Sequence, residues 1–282
     1  MRPAFRLCTA VAVLGAILGL AACGDDEEEG GGGQASQPEK VAFKISGSGR
    51  NLKMTAPKSV QGGVVRIEFS NEAQGGHGVQ LGYVDDESRT PQEALRAAAA
   101  WGEEGKQLPE WVHLPGGVGT IDSGTTRTVT QELPAGRYFA VDIDSNATAF
   151  FRVSGDGGGE LPSAPATVEA SEYKFETSGL KAGKNQILVD NIGAEPHFLV
   201  AAPIKSGKTI EDVRSFVRNE KGEEPISQQG SFDTAIVDGG VKQVVEGEVR
   251  SGTTYALMCF IPDRKGGPPH AVKGMISEAT VD

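Results

Sequence analysis

An internal repeat with an offset of 120 positions constrains the fold of this sequence more than any other feature. The segment Gly63–Asn71 aligns with Gly183–Asn191. In each half a histidine, His77 or His197, follows the closing asparagine of that segment by six positions. Because the matched features keep the same order and the same offset, the sequence predicts two similar folding units in tandem.

The local pattern within each half indicates short strands and one helix. Segments rich in β-branched residues and separated by Gly-containing turns predict strands at 64–69, 125–131, 186–189 and 243–249. Thr90 and Thr209 each precede a carboxylate by three positions, which is typical of a helix N-terminus with a capping box. We therefore predict an all-β chain of two tandem Greek-key β-sandwiches, each with a short inserted helix.

The N-terminal forty residues predict export and a membrane anchor. Arg2 and Arg6 precede a short apolar run, so residues 1–22 have the pattern of a secretory signal peptide. The segment ends Leu-Ala-Ala-Cys23, which resembles the lipobox of bacterial lipoproteins and implies lipidation of Cys23. Residues 23–40 are acidic and Gly-rich, as in an extended tether. The expected location is extracytoplasmic, lipid-anchored to the bacterial cell membrane.

Composition places the remaining boundaries and excludes one class of partner. The Gly- and Pro-rich segment 155–165 is a predicted linker between a first unit at 41–154 and a second at 166–282. The formal net charge is −11, and removal of the signal peptide with its two arginines makes it −13. A chain this acidic has no basic face for a phosphate backbone, so we expect no nucleic-acid partner.

One thiol remains unexplained after export. Cys8 would leave with the signal peptide and Cys23 would carry lipid, so Cys259 would be alone. A lone thiol in an oxidising compartment is expected to be buried, reactive or metal-bound. The second unit also contains His197, His270 and Met275. Two imidazoles, one thiolate and a weak thioether form the ligand set of a blue copper site.

These candidate ligands are expected to converge at one end of the second sandwich. Cys259 follows Tyr255 and Leu257 at a spacing of two, so all three are predicted on the inner face of one strand. His197 is expected on an early strand. The other two candidates lie in the loop before a final predicted strand at 276–281.

At this point the sequence resembles the cupredoxins, the superfamily of plastocyanin and azurin. The matching pieces are Asn191-Ile-Gly-Ala-Glu-Pro-His197, Gly252-Thr-Thr-Tyr255-Ala-Leu-Met-Cys259 and His270-Ala-Val-Lys-Gly-Met275. The likeness covers most of residues 166–282 and, through the repeat, covers 41–153 weakly. It implies a pair of cupredoxin-like sandwiches with one copper ion in the second.

The resemblance also implies roles for individual residues. His197, Cys259 and His270 would be equatorial copper ligands, and Met275 would be the axial ligand. His270 would lie nearest the surface, as the point where electrons leave. The implied function is electron transfer to a redox partner protein rather than enzymatic catalysis, because too few ligands exist for a second copper. A catalytic Cys–His pair is disfavoured because the sequence offers no recognisable orienting acid.

Two features keep other functions open. Ten residues separate Cys259 from His270, whereas the family usually has two to four. The second unit could therefore be a Cu(I) carrier or reservoir, or a metal-free surface-binding module. In the first unit Asp142 stands at the position of the cysteine, so we expect a degenerate, metal-free copy that serves as a spacer or docking module.

Overall fold

The computed structural model describes residues 38–281. The predicted signal peptide, Cys23 and most of the predicted tether lie outside the described residues. Strand formation begins at Glu39, so the last two residues of the predicted tether belong to the first strand. No helix within 38–281 has the length and apolar character needed to cross a bilayer.

The first half of the described chain is built from nine strands and one helix. A short 3-10 turn at Gly49–Asn51 follows the first strand. The elements are β1 (Glu39–Ser46), β2 (Lys53–Thr55), β3 (Ser59–Gln61), β4 (Gly63–Asn71), β5 (His77–Val84), α1 (Pro91–Glu104), β6 (His113–Ile121), β7 (Thr126–Leu133), β8 (Gly136–Val141) and β9 (Thr148–Ser154). Residues 155–165, the predicted linker, contain neither helix nor strand.

The second half repeats this order with eight strands and one helix. Its elements are β10 (Ala166–Ser171), β11 (Lys174–Ser178), β12 (Gly183–Asn191), β13 (Val200–Pro203), α2 (Ile210–Asn219), β14 (Phe232–Asp233), β15 (Lys242–Val249), β16 (Thr253–Met258) and β17 (Ile276–Val281). The strands predicted at 186–189, 243–249 and 276–281 all lie within these elements. The all-β prediction is confirmed.

Each half forms a sandwich of two sheets. In the first sandwich the order β2-β1-β4-β7 faces the order β3-β9-β8-β5-β6, and in the second the order β11-β10-β12-β15 faces β14-β13-β16-β17. The first strand of each half pairs in parallel with the strand that carries the repeat, β1 with β4 and β10 with β12. The repeated segment therefore forms the equivalent strand of the equivalent sheet in both halves.

The two sandwiches join edge to edge. Strand β15 pairs antiparallel with β7, so that Val129, Thr130 and Gln131 lie opposite Val245, Val244 and Gln243. This pairing merges one sheet of each sandwich into a continuous sheet of eight strands. The pairing also covers two edges that would otherwise present unpaired backbone groups.

Both helices begin at the predicted threonines. The Thr90 hydroxyl accepts a bond from the Glu93 amide at 3.2 Å, and the Glu93 carboxylate accepts one from the Thr90 amide at 2.7 Å. Thr209 and Asp212 form the same reciprocal pair at α2. Each pair satisfies backbone donors that have no partner within the helix, which explains why the helices begin at these residues.

The second helix accounts for the continuous burial of β16. Tyr255 and Leu257 lie in the main core between the sheets, as their period-two spacing predicts. The alternate residues, Ala256 and Met258, are also buried, because they pack with Val213 of α2 on the outer face of the sheet. Strand β16 is thus covered on both sides, and the chain leaves it directly at Cys259.

Candidate metal centre

His197 lies in the connection between β12 and β13, not on an early strand as predicted. Its backbone makes an isolated antiparallel bridge with Val237, with hydrogen bonds of 2.9 and 2.8 Å in the two directions. This bridge fixes the main chain of His197 although no regular strand contains it. The imidazole is 1% exposed.

The turn that leads to His197 is held by Asn191, at the end of β12. Its side-chain amide donates to the carbonyls of Glu195 and Val237, and its carbonyl oxygen accepts from the Gly193 amide. Asn71 makes the equivalent three bonds before His77 in the first sandwich. The asparagine–histidine spacing in the repeat therefore marks a turn that aims each histidine into its sandwich.

Cys259, His270 and Met275 come from the connection between β16 and β17. Cys259 directly follows β16, and its carbonyl accepts from the Ala271 amide at 2.7 Å. The His270 carbonyl accepts from the Met275 amide at 2.9 Å, one residue before β17 begins. These bonds bring the two ends of the ten-residue loop 260–269 together despite its length. Cys259, His270 and Met275 are all 0% exposed.

Three of the four predicted ligands place donor atoms against one another. The Cys259 Sγ lies 3.5 Å from the Nδ1 atom of His270 and 3.9 Å from the Nδ1 atom of His197. The two Nδ1 atoms are 3.1 Å apart. Among residues 38–281, this is the only group of three or more His, Cys, Asp or Glu side chains that could hold a metal ion.

Burial sets the protonation of these groups in the protein without metal. Desolvation raises the pKa of the Cys259 thiol to about 12. Desolvation, reinforced by His270, lowers the pKa of His197 to about 4. The pKa of His270 is also lowered, chiefly by burial, although its bond to Asp263 opposes this shift. At neutral pH both imidazoles are neutral and have a lone pair for a metal, whereas Cys259 must lose its proton to bind one.

The arrangement fits a metal ion better than a closed hydrogen-bond network. The Nε2 atom of His197, which is not the ring nitrogen beside Cys259 and His270, is buried without a hydrogen-bond partner among the described residues, so the polar atoms here do not form a closed network. Typical metal–nitrogen and metal–sulfur bonds of about 2.0 and 2.3 Å place three ligands at 120° about 3.5 and 3.7 Å apart. The two observed sulfur–nitrogen separations, 3.5 and 3.9 Å, bracket the value for a nitrogen and a sulfur, and the nitrogen–nitrogen separation of 3.1 Å is shorter than the value for two nitrogens. The two nitrogens, the sulfur and the adjacent Met275 fit a single type 1 copper ion.

Met275 belongs to the same buried core cluster as Cys259. The hydrogen bond from its backbone N–H to the His270 carbonyl holds its main chain next to that ligand. Its role as the axial ligand stays a prediction.

The structure encloses His270, and its place as the ligand nearest the surface stays a prediction. His270 is 0% exposed, and its Nε2 atom lies 3.0 Å from a carboxylate oxygen of Asp263, in the loop 260–269. The edge of Tyr173 contacts the imidazole, with ring centroids 5.2 Å apart. The loop 260–269, together with Tyr173, covers His270 and separates it from solvent.

Asp263 is the functional residue that sequence reasoning missed. It completes a line of contacts from the Cys259 thiol through His270 to a carboxylate, an acid that no recognisable spacing in the sequence identifies. The line does not make Cys259 an accessible nucleophile, because the thiol is fully buried and protonated. No spacing signature marks Asp263, and only its position in the unusually long loop could have drawn attention to it.

The first sandwich replaces the donor set with a hydrogen-bonded pair. His77 Nδ1 lies 2.8 Å from Asp142 Oδ2, at the position that aligns with the cysteine. The Asp142 carboxylate also accepts from the Gly78 amide and from the hydroxyl of Ser145, and His77 Nε2 contacts the Gln74 carbonyl at 3.1 Å. All side-chain polar atoms of this pair therefore have partners.

Neither a protein-family model nor a curated protein matches this sequence. Solved structures with a similar chain course include reduced auracyanin from Roseiflexus castenholzii, at 16% identity over 43% of this chain and 99% of that chain, with a TM-score of 0.26. Auracyanin A from Chloroflexus aurantiacus, described as a blue copper protein, is 19% identical over 42% of this chain and 99% of its own, with a TM-score of 0.29. A copper nitrite reductase from Nitrosomonas europaea is 12% identical over 87% of this chain and 94% of its own, with a TM-score of 0.24. The assignment of a metal to this chain rests on its own donor atoms.

Proposed function

We propose that this protein is a membrane-anchored electron carrier with one type 1 copper site in its second sandwich. The observation that carries the proposal is the convergence of His197 Nδ1, His270 Nδ1 and Cys259 Sγ inside the core. Bound copper would supply a one-electron couple between Cu(I) and Cu(II). The protein would hold the donors in one arrangement for both oxidation states.

The donor types favour copper over other metals. Thiolate and thioether suit Cu(I), whereas imidazole accepts both oxidation states, and the His₂Cys set with a weak axial Met is characteristic of blue copper. Cys259 and Met275 lie next to the ends of β16 and β17, His270 lies in a turn whose main chain bonds to Ile261 and Met275, and His197 lies on a bridged segment. A fixed frame reduces the rearrangement that accompanies a change of oxidation state.

Enclosure of the donors favours electron transfer over delivery of Cu(I). His197 is 1% exposed, and Cys259 and His270 are 0% exposed. A receiving protein would need to bring its own ligands to the metal, and a substrate would need an open ligand position. Electron transfer needs neither of these, because an electron can pass through the enclosing loop without another molecule reaching the metal. The same enclosure argues against an enzyme that binds substrate at the metal.

Redox titration of the copper-loaded chain in detergent tests the proposed function. We expect a reversible one-electron couple, with the metal content unchanged through repeated cycles. Release of copper on reduction or reoxidation would contradict electron transfer and favour the carrier function. The Cys259→Ser variant serves as the matched control, because it keeps the side-chain size and loses the thiolate.

The predicted N-terminus gives the proposed location and partners. Lipid on Cys23 would anchor the chain to the bacterial cell membrane on its extracytoplasmic side, and the acidic, Gly-rich tether would let the sandwiches reach a redox partner protein. Two or more acyl chains bind a membrane stably, whereas one chain binds it weakly.

Replacing Cys23 is expected to release the protein from the membrane. In the Cys23→Ser variant, no thiol remains to accept the lipid, so most of the protein should move from the membrane to the soluble fraction of an expressing bacterium. Immunoblots of the two fractions measure the change. The matched control is Cys259→Ser, which should stay in the membrane fraction. If a Cys23→Ser chain that has lost residues 1–22 stays there as well, Cys23 does not provide the anchor.

A further inference from the structure

The ten-residue loop between Cys259 and His270 is docked on the first sandwich. Trp101, near the end of α1, donates from its indole Nε1 to the Asp263 carbonyl at 2.7 Å. The Leu108 amide donates to the carbonyl of the next loop residue, Arg264, at 2.6 Å. Trp101 is itself only 2% exposed, so these contacts come from a rigid, buried part of the first sandwich.

The side chain of Arg264 makes further contacts that hold the same loop in place. One guanidinium nitrogen lies 2.6 Å from the Asp238 carboxylate, and the other donates to the carbonyls of Pro109 and Val112 at 3.0 and 2.6 Å. An ion pair that is mostly shielded from solvent and supported by further hydrogen bonds fixes a side chain more firmly than an exposed pair does.

The loop also approaches the first sandwich too closely for a side chain at one point. A Cβ atom on Gly266 would lie 2.1 Å from the Gly105 carbonyl oxygen, and the φ angle of Gly266 is +83°. Only glycine meets both conditions without strain. At this point the main chain of the loop is therefore closely complementary in shape to the surface of the first sandwich.

These contacts between the loop and the first sandwich hold the carboxylate of Asp263 in place. One carboxylate oxygen lies 3.0 Å from His270 Nε2 and also accepts from the Tyr173 hydroxyl at 3.0 Å, and the other oxygen pairs with Lys273. A carboxylate beside Nε2 fixes the proton on that nitrogen, which leaves the lone pair on Nδ1. The Nδ1 atom of His270 is the one that faces Cys259 and His197.

We propose that Asp263 is a positioning residue for the copper ligand His270, and that the first sandwich sets Asp263 in place through Trp101 and Arg264. The inference rests on the proposed copper function. The first sandwich is then a working part of the metal centre and not a spacer. The carboxylate stabilises Cu(II) more than Cu(I), because its negative charge offsets the higher charge of the oxidised ion.

Two substitutions of Asp263 separate its hydrogen bond from its charge. Asp263→Asn keeps an acceptor oxygen without the charge, and Asp263→Ala removes both. In the metal-free full chain, NMR of the imidazole nitrogens should find His270 protonated at Nε2 in wild type and in Asp263→Asn, and as a mixture of tautomers in Asp263→Ala. This readout requires no copper.

With copper bound, both variants should have a higher reduction potential than wild type. Loss of a histidine's second partner typically weakens metal binding about 10- to 100-fold. Each tenfold loss that falls on Cu(II) alone raises a one-electron potential by about 59 mV. Asp263→Ala should show the larger rise, because it loses the hydrogen bond as well. If both variants keep the wild-type tautomer and the wild-type potential, the positioning role is wrong.

The contribution of the first sandwich is tested by removing the indole N–H. Trp101→Phe should move the potential towards that of Asp263→Ala. Trp111→Phe should leave the potential unchanged, because this indole stacks with Arg89 and, among the described residues, donates no hydrogen bond to the loop. If Trp101→Phe does not fold, Arg264→Met is the second variant. It removes the contacts of the guanidinium with Asp238, Pro109 and Val112 and should shift the potential in the same direction. A folded variant at either position with the wild-type potential would overturn the role of the first sandwich.

The outcomes also distinguish this inference from the proposed function. If wild-type chain mixed with Cu(II) binds no copper, the proposed function fails, and the NMR result on the metal-free chain still decides whether Asp263 orients His270. If wild type binds copper and cycles reversibly while every variant behaves like wild type, the proposed function stands and the positioning role fails.

Discussion

Replacing Cys259 by Ser should abolish the intense blue absorption that we expect when the wild-type chain binds Cu(II). The colour of a type 1 site comes from charge transfer between the cysteine thiolate and Cu(II), and a hydroxyl cannot supply it. Copper affinity should also fall, because the soft ligand is lost while both imidazoles remain. Visible spectra and metal analysis of dialysed protein measure the two effects.

A variant at the aligned histidine of the first sandwich provides the control for this prediction. His77 pairs with Asp142 and is not near any other candidate ligand among the described residues. His77→Gln should therefore retain the blue band and the wild-type copper content. A blue band that survives in Cys259→Ser would show that the thiolate of this residue does not bind the copper.

Bound copper should stabilise the folded chain strongly. The donors meet only in the native state, so binding stabilises that state by about 4 kcal/mol when free copper exceeds the dissociation constant 1000-fold. For a chain with this number of described residues, that gain corresponds to a rise in Tm of roughly 8–16 °C. Calorimetry or circular dichroism with and without Cu(II) measures the shift.

The same experiment addresses the metal-free alternative. A surface-binding module that does not use copper would unfold at one temperature whether or not the metal is present. Cys259→Ser should show little of the shift, because its site retains only two strong ligands. An unchanged Tm in wild type at saturating Cu(II) would favour the metal-free function.

The local features of the fold were predictable because each depends on residues close together in the sequence. Thr90 and Thr209 begin their helices through bonds to carboxylates three positions away. Tyr255 and Leu257 enter the core because strand side chains alternate between faces. The repeat predicted two sandwiches because its spacing preserves the turn at Asn71 and at Asn191.

The features that sequence reasoning missed depend on contacts between distant residues. The junction of β7 with β15 pairs backbone groups, which leave no residue signature. The loop that covers His270 contains Asp263, and the Asp263 carbonyl accepts a hydrogen bond from Trp101, which lies 162 positions earlier in the chain. The ten-residue spacing between Cys259 and His270 was visible in the sequence, but the spacing alone could not show that this loop encloses His270.

The most direct test of the copper centre is a crystal structure of the copper-loaded chain with anomalous diffraction recorded at the copper absorption edge. We predict one anomalous peak per chain, within bonding distance of His197 Nδ1, Cys259 Sγ and His270 Nδ1. The first sandwich should show no peak at His77 and Asp142. A chain that gives no peak, or a peak bound by other residues, would contradict the assignment of the metal centre.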